Sequence, residues 1–250
     1  MYFAPMGIFG AISATIGKNG IGILINYAKL IGVTYLSLAV FVIITLVIVC
    51  KIIRIPFRGI LRAIKEPALL AFSTASSEAA LPKAMDAMEK FGVPKNIVSF
   101  VMPTGYTFNL DGSTLYLTLT TLFCAQVAGI DLSFNQQILI MLTLMLTSKG
   151  VAGVPRVALV VLTGTLHTFG LPVEGVAILL GIDQILDMGR TTVNLVGNCV
   201  ATTVVARWED EFDYERMNRF LDSTDSKKKK PSLVSTKNIL ADKTAPPGNY

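Results

Sequence analysis

Residues 30–50 form an uncharged apolar run between Lys29 and Lys51, and residues 112–130 form a second one. Because a helix needs about 20 mostly apolar residues to cross the hydrocarbon core, each run is long enough to span a membrane. Hydrophobic residues make up 52% of the chain and charged residues 16%, whereas soluble domains average about 25% charged residues. The chain is therefore predicted to be an all-α integral membrane protein with several spans.

The basic residues cluster on both sides of residues 66–82 and again in the tail, at "SKKKK". Cytoplasmic loops carry an excess of Lys and Arg, so these clusters predict one common cytoplasmic side and a cytoplasmic C-terminus. The net charge of +5 is thereby explained by membrane topology, and no nucleic-acid partner is expected. The clustered residues are Lys51, Arg54, Arg58, Arg62 and Lys65, followed by Lys83, Lys90 and Lys95.

Residues 66–82 are too short for a comfortable span, and their middle is polar. With cytoplasmic flanks on both sides, the simplest geometry is a re-entrant helical hairpin, here hairpin one, assigned to residues 57–91. Irregular backbone at membrane depth needs protein or water around it. A surface amphipathic helix is the alternative interpretation of this segment.

Residues 132–173 contain two apolar arms around "SKGVAGVPR". The glycines and the proline of that stretch favour a helix break. Its Lys149 and Arg156 would be costly at mid-membrane unless they met water or a partner. The pattern predicts a second re-entrant hairpin, hairpin two, over residues 135–171 and entering from the opposite side. Two short full spans are the alternative.

The last apolar segment, residues 175–207, carries polar side chains along one face. At about 100° per residue, Asp187, Arg190, Asn194 and Asn198 fall within a stripe about 100° wide. We call these four residues the polar stripe. Intramembrane ionisable groups are expensive and normally face a cavity or a partner, so the polar stripe predicts a binding site. A purely structural Asp187–Arg190 ion pair is the alternative.

A second polar interruption lies inside the outward span, residues 98–130. Pro103 and two neighbouring glycines weaken the helix there, and local unwinding would free main-chain carbonyls. Asn109 and Asp111 would add side-chain oxygens, which are the ligands that hard cations select. Broken helices are where secondary transporters bind ions and anionic substrates, so this stretch predicts a cation site.

The cysteines lie in apolar runs, and the single His167 has no Cys or His at ligand spacing. Buried small side chains are therefore favoured over a disulfide or a metal centre, and no cofactor is expected. A nucleophile paired with a base is not evident, so the chain is not predicted to be an enzyme. The cysteines are Cys50, Cys124 and Cys199.

Four motifs coincide with the polar interruptions: "STASSEAALP", "PTGYTFNLDGS", "SKGVAGVP" and "DMGRTTVNLVGN", in that order. Together they resemble the signatures of the dicarboxylate/amino acid:cation symporter family, over about residues 1–208. The family includes bacterial proton/sodium-glutamate/aspartate symporters and C4-dicarboxylate carriers. The resemblance implies a multi-span helical transporter with two re-entrant hairpins, broken helices and alternating access.

The resemblance also implies that the chain corresponds to the C-terminal part of a family member. It would be N-terminally truncated and would lack most of the trimerising scaffold, and a non-functional fragment is one interpretation. Residues 1–22 would be a partial first span, residues 23–208 the transport core and residues 209–250 a disordered cytoplasmic tail. Within the core, the expected segments are the span 23–53, hairpin one (57–91), the span 98–130, hairpin two (135–171) and the span 175–207.

Roles in substrate binding follow from the same resemblance. Asp187 would accept the substrate amino group, and Arg190 would pair with the side-chain carboxylate, which suits a planar guanidinium. Dicarboxylate carriers of the family generally lack an aspartate at the position of Asp187, so its presence here favours glutamate or aspartate over C4-dicarboxylates as the substrate. The other implied substrate contacts are Ser76 and Ser77 in hairpin one, Ser113, Val154 in hairpin two, Thr191 and Asn194.

For the coupling ions, the resemblance implies protons, sodium or both. Sodium-coupled members carry an aspartate where this chain has Asn198, which favours protons for part of the coupling. Glu78, at the tip of hairpin one, replaces a small residue of many sodium-coupled members and is the candidate proton carrier. The implied cation-site residues are Gly105, Asn109, Asp111, Asn194 and Asn198 at one position, and Thr107 and Ser148 at another.

Symport of acidic amino acids is thus the predicted function, with C4-dicarboxylate symport as the alternative. The expected partners are an acidic amino acid, the lipid bilayer and, for a complete family member, further copies in a homotrimer. The expected location is the plasma (inner) membrane. An ion channel would also need polar residues in its spans, but it would not need an acid–base pair beside two hairpins.

Overall fold

The computed structural model describes residues 9–10, 13, 16–17, 20–150 and 157–229. Helices and turns make up this part of the chain, and no strand occurs in it, which confirms the predicted all-α class. The helices are α1 (Ile23–Ile52), α2 (Phe57–Ala63), α3 (Lys65–Thr74), α4 (Ser77–Phe91), α5 (Lys95–Phe108), α6 (Asp111–Val127), α7 (Phe134–Thr147), α8 (Val157–Thr168), α9 (Glu174–Leu179), α10 (Asp183–Trp208) and α11 (Tyr214–Lys229).

Helix α1, with 30 residues, is the one helix in the described part of the chain that is both long and apolar enough to cross a membrane. Its first half buries a residue at every third or fourth position, so one face packs against the protein while the other stays exposed. Two tyrosines of α1 bond main-chain carbonyls of α9 and α10. Tyr27 donates to the Ile178 carbonyl, and Tyr35 donates to the Ile185 carbonyl at 2.7 Å.

Helices α3 and α4 form a helical hairpin at the position predicted for hairpin one. The turn consists of Ala75, whose φ of 49° is left-handed, and Ser76, whose hydroxyl accepts a main-chain N–H of α4 at 3.3 Å. Lys83 of α4 bonds Glu66 of α3 at 2.6 Å, which ties the two arms together. The alternative of one amphipathic helix over residues 66–82 is therefore wrong, because the helix breaks at its centre.

The predicted interruption of the outward span lies at Asn109 and Leu110, between α5 and α6. Asn109 has φ −105° and ψ 72°, and Leu110 has φ −110° and ψ 57°, so both leave helical geometry. Pro103 and Gly105 lie inside α5 and do not end it. The break brings the C-terminus of α5 and the N-terminus of α6 to one point, where the main-chain groups of both ends need partners.

Helices α7 and α8 occupy the two apolar arms predicted for hairpin two. Helix α7 begins with a capping box, in which Ser133 and Gln136 each satisfy a main-chain N–H of the other. It continues into a 3-10 turn, Ser148–Gly150, and residues 151–156 lie outside the described part of the chain. With 14 and 12 residues, the two helices are shorter than a straight membrane span requires, which favours a hairpin over two full spans.

Helix α10 lies at the centre of the fold and packs against α1, α3, α4, α5 and α6. The expected span 175–207 is thus two helices, α9 and α10, joined by a turn. The start of α10 belongs to a hydrophobic cluster formed with α6, α7, α8 and α9. Its second half belongs to another cluster, formed with hairpin one, α5 and the end of α1. The polar stripe lies at the junction of the two clusters, and all three cysteines are buried within them.

The chain after α10 differs from the disordered tail expected for residues 209–250. Helix α11 packs on the end of hairpin one, where the rings of Phe212 and Phe220 lie 6.1 and 5.9 Å from the Phe91 ring. The segment is strongly polar, but its few apolar residues share one face and can cover a neighbouring hydrophobic surface. Residues 230–250 lie outside the described part of the chain.

Candidate functional site

The polar stripe is buried in the interior of the protein. Asp187, Arg190, Asn194 and Asn198 are each at most 7% exposed, and they lie on one continuous helix, as their periodicity predicts. Burial of charged and amide groups is expensive unless each group finds a partner. The contacts of these four side chains therefore define the candidate site.

The acid and the base of the stripe bind each other. Arg190 Nε donates to Asp187 Oδ1 at 2.7 Å, and Thr191 donates its hydroxyl to the same oxygen at 2.9 Å. Within the described part of the chain, the terminal NH2 groups of the guanidinium make no hydrogen bond. Those groups form the fork that binds a planar carboxylate, so the pair retains the capacity to bind an anion.

Two residues behind the guanidinium were not assigned to the site by the sequence analysis. The Tyr116 ring centre lies 5.0 Å from Arg190 Cζ, which is a cation–π distance. The Tyr116 hydroxyl donates to Asp183 Oδ1 at 2.7 Å, so the start of α10 orients the ring. Asp183 lies four residues before Asp187, and this spacing places both on the same face of α10. Tyr116 gives no such signal, because it lies in an apolar run of a different helix.

Asn194 joins α10 to the start of α6. Its amide nitrogen donates to the Ser113 hydroxyl at 2.9 Å, and its oxygen accepts the Ser113 main-chain N–H at 3.2 Å. The helices approach this closely because Gly112 has no side chain: a Cβ there would lie 2.4 Å from the Arg190 carbonyl oxygen. Ser113, Arg190 and Asn194, which were predicted to share a substrate site, are thus neighbours.

Asn198 faces the break between α5 and α6. Its amide nitrogen donates to the Met102 carbonyl at 2.8 Å, while its buried Oδ1 has no hydrogen-bond partner in the described part of the chain. A Cβ on Gly105 would lie 2.0 Å from this oxygen, so only glycine permits the approach. Asn198 Oδ1 is therefore an unused acceptor in the interior.

A small cavity lies beside Asn198. Its volume of about 10 Å³ suits one water-sized particle and is far too small for an amino acid. Amide and carbonyl oxygens are ligands for hard cations, so the unused oxygen and its surroundings fit the predicted cation site. The cavity is lined by Ser77, Leu81, Gly105, Tyr106, Asn109, Leu110, Asn194, Leu195 and Asn198.

Asp111, the remaining predicted member of this cation site, begins α6. Its carboxylate lies against α10, with Oδ2 only 2.8 Å from where a Cβ on Gly197 would be. Gly197 adjoins Asn198, so a carboxylate lies close to the cavity. A nearby negative charge would increase the affinity of the cavity for a cation.

The tips of the two hairpins contribute different contacts. Ser77 lines the cavity, whereas Ser76 caps α4 and Glu78 is exposed on the first turn of that helix. In hairpin two, the buried Ser148 hydroxyl shares a hydrogen bond with that of Thr114 of α6 at 3.0 Å. Both hairpins therefore meet the broken helix, one at the cavity and the other at the start of α6.

Two further predicted residues remain. Thr107 is half-buried in the last turn of α5, and Val154 lies outside the described part of the chain. Next to Thr107, the Phe108 carbonyl accepts a hydrogen bond from Lys149 at 2.8 Å. The sequence marks Lys149 by its charge but does not indicate this partner.

Comparison with known proteins gives matches over most of the chain. The Sodium:dicarboxylate symporter family matches residues 1–208. The proton/sodium-glutamate symport protein of Bacillus caldotenax is 51% identical over 221 residues, which are 88% of this chain and 52% of that protein. The proton/glutamate-aspartate symporter of Escherichia coli (strain K12) is 47% identical over 216 residues, which are 86% and 49% of the two chains. The C4-dicarboxylate transport protein of Agrobacterium fabrum is 49% identical over 222 residues, which are 88% and 50%.

The matches agree with the four motifs and confirm the resemblance that those motifs carry. The chain spans about half the length of the curated relatives it matches. The family is described as a symporter family, and these relatives are named as symporters or transport proteins. With a family match over residues 1–208 and relatives near 50% identity, the chain belongs to the sodium:dicarboxylate symporter family.

Proposed function

We propose that the transporter containing this chain carries glutamate or aspartate across the plasma (inner) membrane, driven by coupling cations. The observation that carries this proposal is the buried Asp187–Arg190 pair. An acidic amino acid has one ammonium and two carboxylate groups, and the pair offers one group of each charge. Each charged group of the pair therefore has a complementary group on the substrate.

The substrate would bind by separating the two partners. Asp187 would exchange the guanidinium for the substrate ammonium, and Arg190 would turn its terminal NH2 groups to the side-chain carboxylate. The Tyr116 ring would keep the guanidinium in place during this exchange. Further contacts would come from Thr191 and Asn194 to the main carboxylate and amino groups, from Ser113 to the distal carboxylate, and from Ser76, Ser77 and Val154 at the hairpin tips.

C4-dicarboxylate transport is the alternative substrate class. The Agrobacterium fabrum relative of that name is 49% identical to the chain, and the Bacillus caldotenax glutamate symport protein is 51% identical. Overall identity therefore does not separate the two classes. A C4-dicarboxylate brings two carboxylates and no ammonium, so Asp187 would face a like charge. This unpaired charge favours the amino acid.

Coupling would arise because the cation site and the substrate site share the side chain of Asn194. Asn194 lines the cavity beside Asn198 and also bonds Ser113 in the substrate site. Occupancy of one site would order Asn194 for the other, which is a coupling free energy between the two sites. The proposed cation ligands are the Gly105 main chain, Asn109, Asp111, Asn194 and Asn198, and the coupling ion is a proton, sodium or both.

The proposal includes the membrane arrangement expected from the sequence. The two hairpins would be re-entrant and act as gates for alternating access, with the C-terminus in the cytoplasm. Apolar side chains on the outer face of α1, such as Leu36 and Ile43, are each 65% exposed in the isolated chain. An apolar surface of this kind needs lipid or further helices to cover it, which supports a bilayer and a homotrimer of the complete transporter as partners.

Counterflow in proteoliposomes tests the substrate class. Vesicles that contain the full-length gene product and unlabelled glutamate should accumulate labelled glutamate with saturable kinetics. Unlabelled aspartate should compete strongly with the label, and succinate weakly. Strong competition by succinate together with no effect of aspartate would establish C4-dicarboxylate transport instead, and flux that does not saturate would indicate a channel.

Glu78 is the proposed proton carrier, because it follows Ser77, which lines the cavity. Without sodium, an inward proton gradient should stimulate glutamate uptake into vesicles, and Glu78→Gln should remove this stimulation while glutamate binding remains. Glu89→Gln, near the other end of α4, is the matched control and should behave like the unaltered protein. Uptake that needs sodium strictly and ignores the pH gradient would exclude proton coupling. Stimulation that survives in Glu78→Gln would assign the proton site to another residue.

A further inference from the structure

Lys149 of hairpin two is bonded to the broken end of α5. It lies in the 3-10 turn that follows α7, and its ammonium donates to the Phe108 carbonyl oxygen at 2.8 Å. An ammonium within a membrane is costly unless it meets water or a partner. The carbonyl at the end of α5 supplies such a partner.

The end of α5 is well suited to hold positive charge. Because the helix ends at Phe108, the helix dipole places negative partial charge there, and the Phe108 carbonyl accepts its hydrogen bond from a side chain. Helix α6 begins at Asp111, whose carboxylate lies near enough to Lys149 to attract it. Carbonyl and carboxylate oxygens around one point are the ligands that a small hard cation prefers.

A second bond fixes the same turn to the other side of the break. The fully buried Ser148 shares a hydrogen bond with Thr114 of α6 at 3.0 Å. Two consecutive residues thus contact both halves of the interrupted helix: Ser148 contacts α6, and Lys149 contacts α5. The turn at the end of α7 therefore bridges the break.

We propose that the Lys149 ammonium is a tethered cation, which occupies the position of a dissociable metal ion at the end of α5 and fastens hairpin two across the break. The second predicted cation position, at Thr107 and Ser148, then needs no metal ion, because the chain supplies the positive charge itself. Hairpin two closes at this point without taking up an ion from solution. The expected change in glutamate affinity rests on the proposed function, whereas the expected change in the cation dependence of thermal stability does not.

Thermal unfolding tests the proposal without any substrate. The midpoint temperature of unfolding of the purified full-length gene product is measured in choline, sodium, lithium and potassium chloride at equal ionic strength. Lys149→Met removes the ammonium and keeps a side chain of similar shape. In choline, the unfolding midpoint of Lys149→Met should be lower than that of the unaltered protein. On addition of sodium or lithium, this midpoint should rise more than that of the unaltered protein, because an ion can then occupy the vacated position.

Three further variants separate charge from other effects. Lys149→Gln can still donate a hydrogen bond but is neutral, so it should gain the same cation response as Lys149→Met. Lys149→Arg keeps the positive charge and should gain none. Lys95→Met, at the opposite end of α5, is the matched control and should also gain none. The glutamine variant also gives a result if the methionine variant does not fold.

Glutamate affinity gives a second measurement. Lys149→Met should bind glutamate about tenfold more weakly in choline, which corresponds to the loss of one charge-assisted hydrogen bond. Sodium or lithium should restore part of this loss. The dependence of affinity on sodium concentration should be steeper than in the unaltered protein, because one more ion is required for closure.

The proposal is overturned if the neutral variants respond to cations as the unaltered protein does, or if no cation relieves their destabilisation. A different result bears on the proposed function: an unaltered protein that binds no glutamate in any salt contradicts that function alone. The thermal comparison would still decide the role of Lys149 in that case.

Discussion

Replacing Arg190 by methionine is expected to weaken the binding of glutamate and aspartate by roughly tenfold to more than a hundredfold, since a charge-assisted bond contributes about 1.5–3 kcal/mol. Alanine and serine, which lack a side-chain carboxylate, should lose far less. The guanidinium is buried between Asp187 and the Tyr116 ring, so a neutral side chain leaves the incoming carboxylate without a counter-charge. Competition against labelled aspartate in proteoliposomes measures the effect for each amino acid.

Two variants control this experiment. Arg190→Lys keeps the charge but not the planar fork, and an intermediate loss is expected for acidic substrates. Arg207→Met alters an arginine of the same helix that pairs with the exposed Asp210 at 2.6 Å, and it should leave affinities unchanged. Equal losses for aspartate and alanine in Arg190→Met would show that the Asp187–Arg190 pair is purely structural.

Gly112→Ala is expected to disrupt both stability and substrate binding. The added Cβ would lie 2.4 Å from the Arg190 carbonyl oxygen and 3.1 Å from its Cα, and main-chain atoms cannot move aside without separating α6 from α10. Overpacking of this kind costs about 1–3 kcal/mol. Separation of the helices would also break the bonds between Asn194 and Ser113. A lower thermal midpoint and weaker glutamate binding should therefore occur together.

Gly32→Ala is the matched control for this substitution. Gly32 lies within α1, and a Cβ there would have no atom within 4 Å. Alanine is favoured over glycine inside a helix by about 0.5–1 kcal/mol, so this variant should be as stable as the unaltered protein or slightly more so. A Gly112→Ala variant that is equally stable and binds glutamate normally would show that α6 and α10 are not constrained to this close approach.

The polar stripe could be predicted because helical periodicity is a property of one segment. The spacing of Asp187, Arg190, Asn194 and Asn198 determines that they share a face, whatever that face contacts. An ionisable pair in an apolar segment then indicates that the face is buried against something polar. The structure agrees with this inference, since all four residues are buried on one helix. Their roles toward substrate and cations stay predictions.

The partners of the stripe could not be predicted from periodicity, because they lie on other helices. Nothing along the chain relates Tyr116 to Arg190 or Lys149 to Phe108, and these contacts depend on how the helices pack. The position of the helix break is a similar case. Pro103 and Gly105 weaken a helix locally, yet packing keeps α5 intact to Phe108.

Helix α11 lies in a segment whose composition predicts a disordered tail. Its segment is rich in charged residues, which is typical of disordered tails. Its few apolar residues nevertheless face Phe91 and its neighbours, and tertiary packing of one apolar face can stabilise a polar helix. The low average hydropathy of the segment does not indicate this tertiary contact, so composition alone predicts disorder where a helix forms.

The central position of α10 has a consequence for the order in which the protein can form during synthesis. The ribosome makes α1, both hairpins and the broken helix before α10, yet Asn194 bonds a residue 81 positions earlier, Asn198 one 96 positions earlier, and Ile185 one 150 positions earlier. Until α10 emerges, Ser113 and the Met102 carbonyl lack the partners that Asn194 and Asn198 supply, and unsatisfied polar groups are costly in a membrane. The nascent chain must therefore keep these groups hydrated, or shielded by other proteins, until α10 is inserted.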